Sequence, residues 1–357
     1  KGEPDKCPVK HLVMLAPANF GSPLAHIGKS MVGRLRYGWK WKHAFETGTR
    51  VLYDLELASP ISWNIAKQDL FDPDNAIFKP DYLFTTVLIG SDAYSGMGEF
   101  IHENGSDGTV RVATANLNAE YIKLSFRQPE FKGDDWFKFE PQNHYYEQIA
   151  FGVVYGKNGL NHHTITLPNE DEQLGKIIID SLSIETKEEY QEHIEELKQI
   201  TDETFSKGEK NTEESKRTRY HKYQHVVTYV HDQFGEGIPD YFLEFYQLKG
   251  DKQDTVMQKM QTEILEKVWP YSGDNSYRSF FFDFTDLNKE IIIKGNQVDM
   301  SITAAPLSDQ IKYLYVNGNI TVASKQADTL LKPNTTLFVD IELPRIQGPG
   351  VFRFKKA

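Results

Sequence analysis

HLVMLAPANFGSPLAHIGKS, residues 11–30, sets the fold class. His11 to Ala16 is a continuous apolar run of strand length, and Pro17, Asn19 and Gly21 break it. Ser22 then stands before Pro23: a hydroxyl can accept an orphan backbone N–H at a helix start, and proline's fixed φ suits the first helical position. The spacing predicts a helix over Ser22–Leu35. Strand, loop and helix in that order is the building unit of α/β proteins.

Working outward, Leu83–Ile89 and Ala150–Val154 read as further strands and Glu172–Leu182 as a helix, so residues 1–182 are expected to form an α/β domain with a largely parallel sheet. The texture changes at Thr186. There TKEEYQEHIEELKQI places Thr186 and Glu189 as a capping box, with Ile194, Leu197 and Ile200 near helical spacing, and predicts a solvated connecting helix. SKGEKNTEESKRTR, residues 206–219, has almost no apolar residue and reads as a linker. Residues 183–222 are therefore expected to be a charged helical linker. From Tyr223 onward VVTYV, YFLEFY, YRSFFFDF, EIIIK, YLYV, TLFVDIEL and VFRF alternate with Gly, Pro, Asn and Asp, which predicts an all-β sandwich over residues 223–357.

Composition narrows the function. The chain has 357 residues, 39% of them hydrophobic and 13% aromatic, enough for a sizeable core. A net charge of −11 without a clustered basic stripe argues against a nucleic-acid partner. The longest apolar runs, such as Ile177–Ile179 and Phe280–Phe282, are far below the roughly 20 residues of a membrane-spanning helix. The single cysteine, Cys7, forms no internal disulfide framework, and no secretion signal is recognisable.

Two loops carry the chemistry. NGSDGTVRV, residues 104–112, follows the strand Leu83–Ile89 through a Gly-rich stretch, and a carboxylate leaving the edge of a parallel sheet is where α/β enzymes place working groups, so Asp107 is the first candidate. An Asp-Gly turn is its plain structural reading. Asp92 is a weaker rival. The strand ending at Val154 runs into GKNGLNHHTITLP, in which His162 or His163 can serve as a general base oriented by the acid. Two adjacent histidines without a cysteine or third acidic ligand chelate a metal poorly, and Asp232, Asp240, Asp274 and Asp283 lack the spacing of a calcium loop, so no metal or cofactor is expected.

With these residues the order is nucleophile, Asp, His, as in α/β-hydrolases. LVMLAPANFGSPLA resembles the segment of bacterial lipases one strand past the nucleophile elbow, and TGTRVLYDLEL at 47–57 resembles the helix those lipases carry next. DGTV at 107–110 is similar to their acid loop, and HHTI at 162–165 to their terminal histidine motif, in which the first histidine is catalytic. That register implies His162, with His163 one residue away as the alternative. The resemblance covers roughly residues 9–182 and implies a lipase or phospholipase-type serine ester hydrolase. VHDQFGEGIPDYFLEF resembles the first hairpin of an accessory module in lipase-like proteins, which implies docking at a membrane surface or recognition of a partner.

No G-x-S-x-G occurs in these residues. Ser30 lies inside the expected helix and Ser22 is explained by capping, so the resemblance places the nucleophile upstream of residue 1. The expected fold is then an incomplete α/β-hydrolase sheet, late strands only, that associates with the N-terminal part of the same hydrolase and is not active alone. The aromatics Tyr37, Trp39, Trp41, Phe45 and Trp63 fall where such lipases carry a lid or acyl-chain cleft, or else pack a helical subdomain. The alternative function is a non-catalytic hydrolase scaffold whose β-sandwich binds a partner protein or a membrane.

Overall fold

The computed structural model describes residues 8–25, 50–92, 94, 103–127, 137–156, 159–167, 172–211, 213–246, 260–293, 298–306, 308, 310–313, 320–322 and 330–348. The chain forms two compact units: residues 1–120, 143–225 and 333–336 make the first, and 121–142, 226–332 and 337–357 the second. The fold is mixed α/β with several sheets.

In the first unit, strands β1 (His11–Leu15), β2 (Phe84–Gly90) and β5 (Ala150–Val154) form a three-stranded parallel sheet in the order β1-β2-β5. The central strand is the most buried: Val87, Leu88 and Ile89 are wholly enclosed, as parallel strands covered on both faces require. All five β1 residues are only half-buried, and among the described residues β1 pairs with β2 alone. Helix α1 (Pro60–Phe71) begins at Ser59, whose hydroxyl accepts the Ser62 amide at 3.1 Å, and it buries Trp63, Ala66 and Leu70. Helix α2 (Val112–Ala115) is a single buried turn. Helix α3 (Glu172–Leu182) buries Leu174 and Ile177 on its apolar stripe.

Helix α4 (Lys187–Asn211) corrects the expectation of a solvated linker. Its capping box is present, Thr186 and Glu189 exchanging hydrogen bonds of 3.2 Å. Yet Tyr190, Ile194, Leu197 and Phe205 are buried along one stripe, and the helix packs on β5. The Tyr190 hydroxyl donates to the Thr85 carbonyl at 2.6 Å and accepts the Ala150 amide at 3.0 Å, tying β2 to β5. Four apolar side chains in register suffice to seat an otherwise charged helix. The run that follows is ordered as well: Glu214–Tyr220 is a 3₁₀ helix. Residues 183–222 thus belong to the first unit, and the division falls elsewhere than at 182 and 223.

The second unit holds most of a six-stranded sheet in the order β4-β3-β13-β6-β9-β8. Its strands are β3 (Glu120–Phe126), β4 (Phe137–Pro141), β6 (Tyr223–Asp232), β8 (Leu265–Pro270), β9 (Tyr277–Asp283) and β13 (Thr336–Leu343). A three-stranded antiparallel sheet, β12-β10-β7, combines β7 (Tyr241–Tyr246), β10 (Val298–Ala304) and β12 (Ile320–Val322), and β11 (Ile311–Tyr313) pairs with β14 (Arg345–Gln347). One apolar cluster joins Leu124, Val230, Phe282, Leu337, Val339 and Ile341 from the larger sheet to Ile302 and Tyr241 from the smaller. EIIIK is not a strand. Asp283 ends β9, its carboxylate accepts the Asp286 amide at 3.1 Å as a helix cap, and Asn288–Ile292 continues as a π turn, so the cap overrides the β preference of three isoleucines. Tyr37, Trp39, Trp41, Phe45, Ser30 and VFRF at 351–354 lie outside the described residues.

Strand alternation turns His231 away from that cluster. Its Nδ1 faces the Asp232 carbonyl and its Nε2 the Asp340 carboxylate, both at 2.7 Å, while the Tyr121 hydroxyl donates to the other Asp340 oxygen at 2.8 Å. Two acceptors need two N–H groups, which only the imidazolium has. Burial pushes the imidazole down, but the Asp340 and Asp232 hydrogen bonds outweigh it and the group lies above its ordinary value. Burial likewise raises Asp340, yet the His231 and Tyr121 bonds bring it below the usual carboxylate range. A raised histidine stabilises below its unfolded value and loses that as pH rises through the folded one; a lowered carboxylate does the reverse in acid. The contribution is therefore full between about pH 4 and 6.5 and declines on either side. His231→Leu is expected to cost on the order of 2 kcal/mol at pH 6 and to remove the decline above neutrality, as read from melting temperatures across pH 5–9. An unchanged pH dependence in the variant refutes the assignment.

Candidate active site

The site forms where the loops following β2 and β5 leave the carboxyl edge of the parallel sheet, the usual position for chemistry in open α/β sheets. The acid loop is shaped by two glycines in left-handed backbone, Gly105 at φ +62° and Gly108 at φ +96°. A Cβ at Gly108 would also come within 2.7 Å of the Tyr94 ring. Between them Asp107 is wholly buried. Its Oδ1 accepts the Thr109 and Val110 amides at 3.0 and 2.8 Å, and its own amide donates to the Val110 carbonyl at 3.1 Å. The Asp-Gly turn and the acid are thus one device, because the turn occupies one carboxylate oxygen and aims the other.

That second oxygen, Oδ2, lies 3.0 Å from Nδ1 of His162, and the His162 amide donates to the Asp107 carbonyl at 2.9 Å. The hydrogen bond to Asp107 raises the His162 imidazole above its ordinary value, burial opposes this, and the carboxylate's charge adds to it. With Nδ1–H fixed on the acid, Nε2 is the basic nitrogen, on a side chain that is 34% exposed. His163 points into solvent, and only its backbone is engaged, its amide bonding the Asn161 side chain at 3.0 Å. Of the two histidines, the structure therefore brings His162, and not His163, to the acid. The turn is locked beyond them by the buried Ile165 in the 3₁₀ helix Thr164–Thr166.

The stretch after β1 supports the acid loop from beneath. Asn19 donates to the Ala115 carbonyl at 2.7 Å, the Phe20 amide to the Thr114 carbonyl at 2.9 Å, and the Ser22 hydroxyl to the Thr109 carbonyl at 2.6 Å. Ser22 is buried and its proton is committed, so it is a structural residue. Asp92 is not a rival acid but a fastening: it accepts the Leu160 amide at 2.9 Å, and its own amide donates to the Leu160 carbonyl at 3.0 Å. A buried ion pair, Arg111 with Glu103, closes the base of the acid loop and was not foreshadowed by any motif.

No family model and no curated protein matches the chain. Among solved structures, phospholipase PlaB from Legionella pneumophila in complex with thio-NAD superposes with a TM-score of 0.78 at 23% identity, covering 99% of this chain and 74% of that one. A second structure of phospholipase PlaB from the same organism gives 0.77 at 26% identity, with 99% and 75% covered. The chain has a phospholipase-like fold.

Proposed function

We propose that this chain carries the acid and base of a serine-type ester hydrolase acting on lipids, Asp107 and His162, and that the nucleophile stands on a strand preceding β1 that pairs with its outer edge. The observation that carries the reading is the contact of a buried, doubly anchored carboxylate with Nδ1 of a half-exposed histidine at the carboxyl edge of a parallel sheet. The outer edge of β1, which pairs with no further strand among the described residues, and the likeness to a phospholipase support it.

In this mechanism His162 Nε2 takes the proton of the attacking serine hydroxyl, and Asp107 holds the ring and stabilises the imidazolium as charge develops. The same proton passes to the departing alcohol, leaving an acyl-enzyme. His162 then deprotonates the water that cleaves it. The two amides on Asp107 Oδ1 keep the carboxylate in place, with Oδ2 on the ring, through both steps.

A fluorophosphonate probe tests this on the full-length protein, residues upstream of Lys1 included. The expected result is covalent labelling of one serine, hydrolysis of phosphatidylcholine micelles, and loss of both in His162→Ala. Absence of labelling and hydrolysis, or activity that survives His162→Ala, overturns the reading.

A further inference from the structure

We propose that residues 219–223 form a brace that sets the acid loop and the base loop in register, with Tyr220 and Asp92 as positioning residues for His162, an inference that rests on the hydrolase reading above. The segment lies in the charged run that the sequence alone presents as a linker, yet it touches both loops. The Tyr220 hydroxyl donates to Asp92 Oδ1 at 2.9 Å, and the other oxygen of that carboxylate holds the Leu160 amide, two residues before His162. One residue earlier, the Arg219 carbonyl accepts the Gly105 amide at 3.1 Å, two residues before Asp107. The Tyr223 ring lies against Gly105, and its hydroxyl donates to the Thr218 carbonyl at 2.9 Å, closing the brace on itself.

Glycines mark these contacts. A Cβ at Gly105 would stand 2.3 Å from the Tyr223 ring, and one at Gly208, inside α4, 2.1 Å from the Tyr220 ring. Glycine in a helix interior is unfavourable, so the seat for Tyr220 is a local concession of helix stability to packing. Lys222 adds an ion pair to Asp202 at 2.8 Å and sits over the Phe205 ring, both on α4. The brace is thus anchored to a helix packed on β5 and bonded to both loops that carry the acid and the base. Such a device matters because an acid and base misplaced by about 1 Å lose on the order of a hundredfold in rate.

Tyr220→Phe removes one hydroxyl and keeps the ring, and Asp92→Ala removes both acceptors, whereas Asp92→Asn retains one. Two readouts separate the claims. In this chain, nuclear magnetic resonance titration of the His162 ring is expected to move toward the ordinary histidine value in Tyr220→Phe and Asp92→Ala, with partial recovery in Asp92→Asn. In the full-length protein the first two are expected to lower kcat by about ten- to a hundredfold with KM of a short-chain ester within about twofold, while Arg217→Ala, an exposed neighbour, changes neither. Gly208→Ala gives an independent check, since a Cβ there displaces the Tyr220 ring, so the His162 titration moves and kcat falls as in Tyr220→Phe. Wild-type titration of His162 in both Tyr220→Phe and Asp92→Ala overturns the brace, whatever the catalytic result. Activity that survives His162→Ala overturns the hydrolase reading and leaves the titration arm to decide the brace.

Discussion

Replacing Asp107 with asparagine is expected to lower ester hydrolysis by about 10⁴-fold while leaving the fold intact. The magnitude follows from what the carboxylate does here. Its Oδ1 is held by two backbone amides, which an asparagine carbonyl can also accept, so the loop retains its turn. The group left facing His162 Nδ1 is then an amide NH₂, a donor, and the imidazole must present a lone pair to it and carry its proton on Nε2. The basic nitrogen is turned from the substrate. The pH profile supplies a second signature. Because Asp107 raises His162, the wild-type rate falls, as pH is lowered, above the ordinary histidine value of about 6.5. Removing the carboxylate removes that support, so the residual activity of Asp107→Asn is expected to hold to lower pH. Measurement of kcat against pH on the full-length protein tests both parts. A variant within tenfold of wild type, or one whose acid limb stays in place, eliminates Asp107 as the orienting acid.

The parts of this site that the sequence displays are those with short-range causes. Ala150–Val154 and Glu172–Leu182 coincide with the observed strand and helix because their patterns are unbroken, and the strands at His11–Leu15 and Phe84–Gly90 differ from expectation by one residue. Asp107 and His162, whose side chains meet in the fold, were visible as candidates because each follows a strand within a loop marked by glycine. The residues themselves leave His162 and His163 open and only the resemblance favours His162, since which neighbour turns inward depends on the buried Ile165 and the asparagine-led turn around it. Strands β3 and β4 do alternate, Ile122, Leu124 and Phe126 with Lys123 and Ser125, and Phe137 and Phe139 with Lys138 and Glu140, so their signal stood in the sequence, in a stretch where strands and helices were expected to form a parallel sheet. The misreading of α4 has a different root, for Tyr190, Ile194, Leu197 and Phe205 are a narrow stripe in a helix of low mean hydropathy. Asp92 and Tyr220 are 128 residues apart, and nothing local to either announces a bond that only the folded chain creates.

A single methyl group at Gly90 is expected to part base from acid, at a smaller cost than loss of the acid's charge. Gly90 ends β2 opposite Val154, and a Cβ there would lie 2.0 Å from the Leu160 carbonyl oxygen and 2.6 Å from its carbon. Both atoms are backbone, so no rotamer change relieves the clash. Either β2 or the base loop must move, and the strand is pinned by ladder bonds on both sides. The loop yields, taking with it the Asp92 amide bond to Leu160 and then the contact of His162 with Asp107. A displacement near 1 Å predicts a loss of about a hundredfold in kcat, with about 1–3 kcal/mol of stability from overpacking. A double-mutant cycle distinguishes this route from general damage. If Gly90→Ala acts by parting base from acid, adding it to Asp107→Asn costs little more, because the interaction it breaks is already gone. Losses that multiply in the double variant, or a Gly90→Ala enzyme with wild-type kcat, would show that the base does not depend on this passage between β2 and its loop.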